Sequence, residues 1–115
     1  DIYIRPHKHM GKSESFHVIE GEADIVTFSD DGVILDLIEM SDYREGKVFY
    51  YRISEPIFHT VIIKSEVVVF HETTSGPFCR EDMFFAEWSP PENEEEATHQ
   101  FLENLGNQLT EFKRG

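Results

Sequence analysis

The sequence predicts an all-β domain with one α-helix at its C-terminal end, and three observations support that prediction. Short runs rich in Val, Ile, Phe and Tyr recur along the first 70 residues, with turn-forming residues between them. Beyond residue 89 the apolar residues change to helical spacing. The chain has 115 residues, which fits one core. We therefore expect a closed barrel or jelly-roll sandwich, with its following irregular segment, over residues 1–88 and a helix over residues 89–115.

The predicted strands are separated by turns whose chemistry suits tight connections. Asp31-Gly32 is the clearest hairpin signal, because glycine accepts a positive φ without a steric penalty. After His71 the pattern changes, and Thr73–Glu87 is expected to be irregular chain over one end of the barrel. The expected strands are Ser15–Glu20, Ala23–Phe28, Val33–Leu37, Val48–Ile53, Phe58–Ile63 and Val67–Glu72.

The C-terminal segment is predicted to be an amphipathic helix. Ser89 is placed to cap it, Pro90 suits the first helical position and Glu92 would complete a capping box. Gly106 lies inside the helical pattern and weakens it. The helix would pack on its own barrel or form a contact in a homodimer. Its apolar positions are Ala97, Phe101, Leu102, Leu105, Leu109 and Phe112.

Composition and charge exclude several classes of partner. The formal net charge of −13 disfavours nucleic acid and anionic membrane surfaces, since both are bound through Lys and Arg. Cys79 is the single cysteine, which rules out an intramolecular disulfide and fits a reducing compartment. No apolar run approaches the roughly 20 residues that span a bilayer. We therefore expect a cytoplasmic protein whose partner is a small molecule.

Two histidines and a glutamate near the N-terminus form the most informative pattern. Residues i and i+2 of a strand face the same side, so His7 and His9 should project together. After a bend through Gly11, Glu14 can return as a carboxylate on the next strand. Two imidazoles and a carboxylate converging from adjacent strands predict a site for a divalent metal ion.

This pattern resembles the first motif of the cupin superfamily, which reads here as His7-x-His9, four residues, Glu14, six residues and Gly21. The resemblance implies a cupin-type double-stranded β-helix, that is, a jelly-roll barrel. It also implies a fourth ligand, a histidine on a later strand, and His59 within the segment PIFHTV occupies that place. The expected cofactor is therefore one divalent transition metal, Fe, Mn, Ni or Zn, inside the barrel.

Four further segments are informative: Tyr3-Ile4-Arg5-Pro6-His7, His59-Thr60-Val61, Gly76-Pro77-Phe78 and Phe84–Pro90. Together they resemble the WbuC group of cupin metalloproteins. That group is associated with bacterial polysaccharide and O-antigen gene clusters, which implies a metal-dependent enzyme acting on a sugar or a small oxygenated metabolite. A non-catalytic module that binds a carbohydrate or carboxylate through the metal is the alternative, and a structural cupin that assembles through its helix is a third.

The remaining polar candidates are assigned by their position in the pattern. His17 is three residues from Glu14, so it should face the opposite side of its strand. His99 is expected to be exposed on the helix, and Cys79 is expected to be a bystander. Four residues could reach an anionic or sugar-like ligand at the barrel mouth, although salt bridges on an acidic surface explain them at least as well: Tyr3, Arg5, Tyr51 and Arg52. His71 could also line the pocket, but a hydrogen-bonded position in the barrel wall is the expected one.

Overall fold

A computed structural model describes residues 2–75 and 82–115 and confirms a mainly β architecture with a C-terminal helix. Within these residues there are eight strands, one helix and a single 3₁₀ turn at Tyr43–Glu45. The strands are β1 His7–His9, β2 Glu14–Glu20, β3 Glu22–Phe28, β4 Ile34–Ser41, β5 Tyr50–Ile53, β6 Phe58–Ile63, β7 Val69–Thr74 and β8 Met83–Phe85, and the helix is α1 Glu95–Arg114.

The strands form two antiparallel sheets. The larger has the order β4-β3-β6-β1-β8 and the smaller has the order β5-β2-β7. The chain passes from the smaller to the larger sheet at Gly21, whose φ is +92°. The hairpin predicted at Asp31-Gly32 joins β3 to β4, and Gly32 has a φ of +90° there. Glycine is required at such turns because other residues rarely adopt this backbone conformation.

Alternation along the strands gives the larger sheet two apolar faces. Its inner face packs against the inner face of the smaller sheet, around residues such as Phe16, Ile25 and Val61. Its outer face carries a second core that includes Leu105 and Leu109 of α1. The helix thus buries its apolar side against its own sheet. This is the first of the two predicted arrangements, in which the helix packs on its own chain. The second core consists of Val26, Phe28, Phe58, Ala86, Leu105 and Leu109.

The helix begins at Glu95, five residues later than the capping pattern predicts. The hydroxyl of Ser89 donates to the carbonyl of Ala86 at 2.7 Å and accepts from Arg5 Nε at 3.0 Å. These two contacts, one local and one with the distant Arg5, occupy the hydroxyl, and Ser89 does not cap the helix. The residue at the N-cap is Glu94, which makes no side-chain capping bond. The predicted helix start at Ser89 is therefore wrong.

The irregular segment predicted at Thr73–Glu87 contains regular structure. Strand β7 continues to Thr74, and β8 pairs with β1 at the edge of the larger sheet. A three-residue strand has too few residues for alternation to reveal it. Cys79 and Gly76-Pro77-Phe78 lie outside the described residues. The described residues contain no helix that is both long enough and apolar enough to cross a membrane.

Candidate metal centre

Three strands bring the predicted ligand residues to the inner side of the larger sheet. In β1, His7 and His9 face inward, while Lys8 faces outward with its Nζ 4.5 Å from the centre of the Phe58 ring. His7 is the cross-strand partner of His59 on β6. Glu14 is the first residue of β2, in the facing sheet. His7 and His9 therefore project to the same side of their strand, as the sequence predicts.

These four residues, His7, His9, Glu14 and His59, form the His/Glu cluster. Each offers one ligand atom, and these atoms all lie within 4.8 Å of one another. Glu14 Oε1 is 2.8 Å from His59 Nε2, and Glu14 Oε2 is 3.3 Å from His9 Nε2. Glu14 and His59 are only 4% and 2% exposed. The cluster could hold a metal ion, and its four donors are brought together from two sheets.

Backbone carbonyls fix the orientation of two of the imidazole rings. Nδ1 of His7 lies 2.8 Å from the carbonyl oxygen of Arg5, and Nδ1 of His59 lies 3.0 Å from that of Ile57. An Nδ1–H that donates to a carbonyl leaves the Nε2 lone pair directed into the cluster. Second hydrogen bonds of this kind orient histidine ligands in metal sites.

The polar atoms of the cluster fit a cation better than they fit each other. His59 has an acceptor at both ring nitrogens, the Ile57 carbonyl and Glu14 Oε1, whereas a neutral imidazole carries one N–H. His9 Nε2 is buried and makes no hydrogen bond among the residues described. Ligands about 2.1 Å from a shared ion are about 3.0 to 3.4 Å apart at adjacent positions, close to the 2.8 and 3.3 Å found here. The residues therefore fit a metal ion.

Electrostatics favour the ionisation states that metal binding requires. Burial opposes ionisation of Glu14, but hydrogen bonds from His59 and Glu72 and the nearby histidines outweigh it and hold the pKa of Glu14 well below its ordinary value. Burial and the neighbouring His59 lower the pKa of His7. A carboxylate and neutral imidazoles are the forms that bind metal ions.

Glu72 is a site residue that the sequence did not predict. It lies on β7 opposite Phe16, whose side chain is in the core, so Glu72 shares the inner face with Glu14. Burial, a hydrogen bond with Glu14 and the charge of Glu14 raise the pKa of Glu72 to about 8. The only local signal is alternation, since the neighbouring His71 faces outward. The register of β7 against β2 was needed to place it.

We expect the metal-free Glu72→Gln variant to gain stability over the wild type as the pH rises. Because the folded protein favours protonated Glu72, that stabilisation is complete below the ordinary value of 4.5 and is lost as the pH rises towards 8. Glutamine keeps a neutral side chain at every pH. Since Glu72 is more than one third exposed, we expect a difference on the order of 1 kcal/mol at pH 8.

Urea unfolding at pH 4.5, 6 and 8, in the presence of a chelator, measures this difference in the free energy of unfolding. Glu66→Gln is the matched control, because Glu66 is exposed and lies outside the His/Glu cluster. Parallel pH curves for the wild type and Glu72→Gln would contradict the raised pKa.

The structure shows the contacts that three of the five residues predicted to line a ligand pocket make. The hydroxyl of Tyr3 donates to the Pro90 carbonyl at 2.9 Å. Arg5 donates to the carbonyl of Ala86, and its guanidinium lies 4.9 Å from the centre of the Phe85 ring. Both residues therefore fasten the N-terminal segment to the chain that follows β8.

His71 is the third, because it lies opposite His17 on the exposed outer face of the smaller sheet. His17 faces outward as predicted, and His99 is exposed on α1 as predicted. Tyr51 and Arg52 do line a cavity, together with residues that the sequence did not indicate. The two strand histidines outside the His/Glu cluster, His17 and His71, thus lie on the outer face of the smaller sheet.

One comparison with known proteins gives a match. A family described as a domain of unknown function (DUF6016) matches residues 1–40, about a third of the chain. No curated protein and no solved structure matches. The matched part contains three of the four residues of the His/Glu cluster, and the family's description names no activity. Any function must therefore be argued from the chemistry of the site.

Proposed function

We propose that this chain is a cupin-type metalloprotein that binds one divalent transition metal through His7, His9, Glu14 and His59. The observation that carries the proposal is the convergence of three imidazoles and one carboxylate, from two facing sheets, with ligand atoms within 4.8 Å of one another. In this proposal the two sheets are the halves of a double-stranded β-helix. The eight antiparallel strands and the spacing of the first motif support that interpretation.

Three imidazoles and one carboxylate suit Fe, Mn, Ni or Zn and leave coordination positions for a small molecule. The bound ion would act as a Lewis acid towards an oxygen atom of that molecule. The buried surroundings of Glu14 and His59 strengthen such an interaction, because a low dielectric screens charge weakly. The resemblance to the WbuC group extends the proposal to a sugar or small oxygenated metabolite of bacterial polysaccharide biosynthesis.

The position of Glu72 favours a metal-dependent enzyme over the alternative, a metal-dependent binding module for a carbohydrate or carboxylate. Its carboxyl group shares the inner face with that of Glu14, and the charge of Glu14 acts on it. A carboxyl group next to a reacting oxygen can accept or donate a proton, which binding alone does not need. The two functions differ in that only an enzyme would lose turnover in Glu72→Gln while retaining ligand affinity.

Metal analysis of chelator-treated and reconstituted protein tests the proposal. We expect one equivalent of a divalent ion in the wild type and much less than one in His9→Ala. Because the ion binds only the folded protein, it should add about 4 kcal/mol of stability at a free concentration one thousand times the dissociation constant. Calorimetric titration and thermal unfolding measure both effects.

His71→Ala is the matched control, since His71 is a strand histidine on the opposite face. It should retain one equivalent. Full retention of the ion by His9→Ala, or its loss from His71→Ala, would overturn the assignment of the site.

A further inference from the structure

A cavity of about 250 Å³ lies beside the His/Glu cluster. Two of its lining residues are cross-strand partners of the proposed ligands: Thr27 pairs with His59, and Ile53 pairs with Glu14. We call this cavity the Thr27 pocket. Its lining residues are Thr27, Asp36, Tyr51, Arg52, Ile53, Ser54, Glu55 and Ile57.

Among the residues at 2–75 and 82–115, the hydroxyl of Thr27 has no hydrogen-bond partner. Thr27 is 2% exposed, and its Oγ1 makes no hydrogen bond with any residue that the structure describes. A buried hydroxyl without a partner destabilises a protein, so such groups are uncommon unless a ligand uses them. Thr60 is a direct comparison on β6, because it is 3% exposed and its hydroxyl donates to the carbonyl of Ile4. Burial of a threonine in this sheet therefore does not by itself leave its hydroxyl without a hydrogen bond.

The groups around Thr27 define what would bind there. Asp36 is its cross-strand partner on β4 and lines the same pocket. Burial and the Asp36 carboxylate raise the pKa of Tyr51, so its hydroxyl stays neutral and can donate. Asp36 and Glu55 bring two carboxylates to the pocket, whereas the guanidinium of Arg52 donates to Ser13 Oγ at 3.0 Å. A carboxylate on the ligand would be repelled, and a neutral group that both donates and accepts would be favoured.

We propose that the Thr27 pocket binds a hydroxyl group of a small neutral polyol whose neighbouring oxygen reaches the His/Glu cluster. The hydroxyl accepts a hydrogen bond from Thr27 or Tyr51 and donates one to Asp36. This inference rests on the proposed metal centre and specifies its ligand as a hydroxyl compound rather than a carboxylate. The volume suits one sugar unit.

The probes are glucose, galactose and mannose, with glucuronate as their carboxylate counterpart. Saturation-transfer NMR and calorimetry are run on full-length protein with and without bound zinc. At least one neutral hexose should bind, and glucuronate should bind at least about tenfold more weakly than that hexose. Thr27→Val should weaken hexose binding about tenfold, since one hydrogen bond is lost, and Thr27→Ser should restore it.

Thermal unfolding separates a binding role from a structural one. Thr27→Val removes an unmatched hydroxyl at constant shape, so its melting temperature should equal or exceed that of the wild type. The matched variant Thr60→Val should melt at a lower temperature, because it leaves the Ile4 carbonyl without its donor. A lower melting temperature in Thr27→Val would show that the hydroxyl serves the fold and would overturn the proposal.

The outcomes distinguish this inference from the metal proposal. Normal zinc binding without binding of any hexose, or with equal hexose affinity in Thr27→Val, overturns the Thr27 pocket alone. Failure of zinc binding overturns the metal centre, and the zinc-free hexose titrations then decide the pocket independently. Tighter binding of glucuronate than of every hexose would also overturn the assignment, because it would place a carboxylate where we place a hydroxyl.

Discussion

Replacement of Glu14 by glutamine should lower the affinity for a divalent ion by more than about a hundredfold. Substitution of residues that only orient metal ligands already costs 10- to 100-fold, and Glu14 is placed to bind the ion itself. Its two oxygens lie 2.8 Å from His59 Nε2 and 3.3 Å from His9 Nε2, so it faces both imidazoles. Glutamine keeps the shape but removes the charge that a divalent cation requires.

The same substitution should leave a folded protein, because the amide oxygen can still accept from His59. Its effect on stability should depend on pH. Hydrogen bonds and neighbouring histidines lower the pKa of Glu14 despite its burial, so the stabilisation by its carboxylate is present above the ordinary value of 4.5 and is lost as the pH falls below it. The metal-free wild type should therefore lose more stability than Glu14→Gln on acidification from pH 6 to pH 3.

Isothermal titration with Zn²⁺ and with Mn²⁺ measures the change in affinity, and urea unfolding measures the change in stability. Glu20→Gln is the matched control, because Glu20 ends the same strand and is exposed. It should bind the ion as the wild type does. An affinity of Glu14→Gln within tenfold of the wild type would exclude Glu14 as a ligand.

The sequence predicts those parts of the site that depend on one strand. His7 and His9 needed only the two-residue period of a strand, and the structure places both on the inner face. The outward orientation of His17 followed from the same period. The choice of His59 came from a resemblance to a known motif, since 45 residues separate it from Glu14 and no local rule connects the two.

Residues placed by strand pairing escaped prediction. Glu72 reaches the centre only because β7 pairs with β2 so that Glu72 faces Phe16. Thr27 becomes notable only when its burial and its missing partner are known. Neither the pairing of β7 with β2 nor the burial of Thr27 without a hydrogen bond can be deduced from composition and spacing. Pairing register and hydrogen-bond accounting are properties of the folded chain, so these residues could not be selected from the sequence.

Local signals also failed where tertiary contacts competed with them. Ser89 has good capping chemistry, but its hydroxyl bonds to Ala86 and Arg5, and the helix starts later. Tyr3 and Arg5 suggested a binding surface, but they hold the N-terminal segment in place. In both cases a polar side chain found a partner distant in sequence, which no window of neighbouring residues can show.

Replacement of Gly21 by alanine should destabilise the protein by about 3 kcal/mol or more. Gly21 has a φ of +92°, a conformation that costs a residue with a Cβ about 1 to 2 kcal/mol. Its added Cβ would overlap the carbonyl oxygen of Val67 and lie 2.6 Å from Ser65 Oγ, and overpacking of this kind typically costs about 1 to 3 kcal/mol. Because the Val67 oxygen belongs to the backbone, it cannot move aside cheaply.

Gly46→Ala separates the two contributions. Gly46 has a similar φ of +82°, but an added Cβ there would meet nothing within 4 Å. It should therefore lose about 1 to 2 kcal/mol, the conformational part alone. Urea unfolding of both metal-free variants gives the comparison, and equal losses would contradict the steric argument. The steric argument assigns Gly21, the glycine of the first motif, to the passage between the two sheets rather than to the metal site. Any Gly21→Ala protein that remains folded should therefore bind the ion with unchanged affinity.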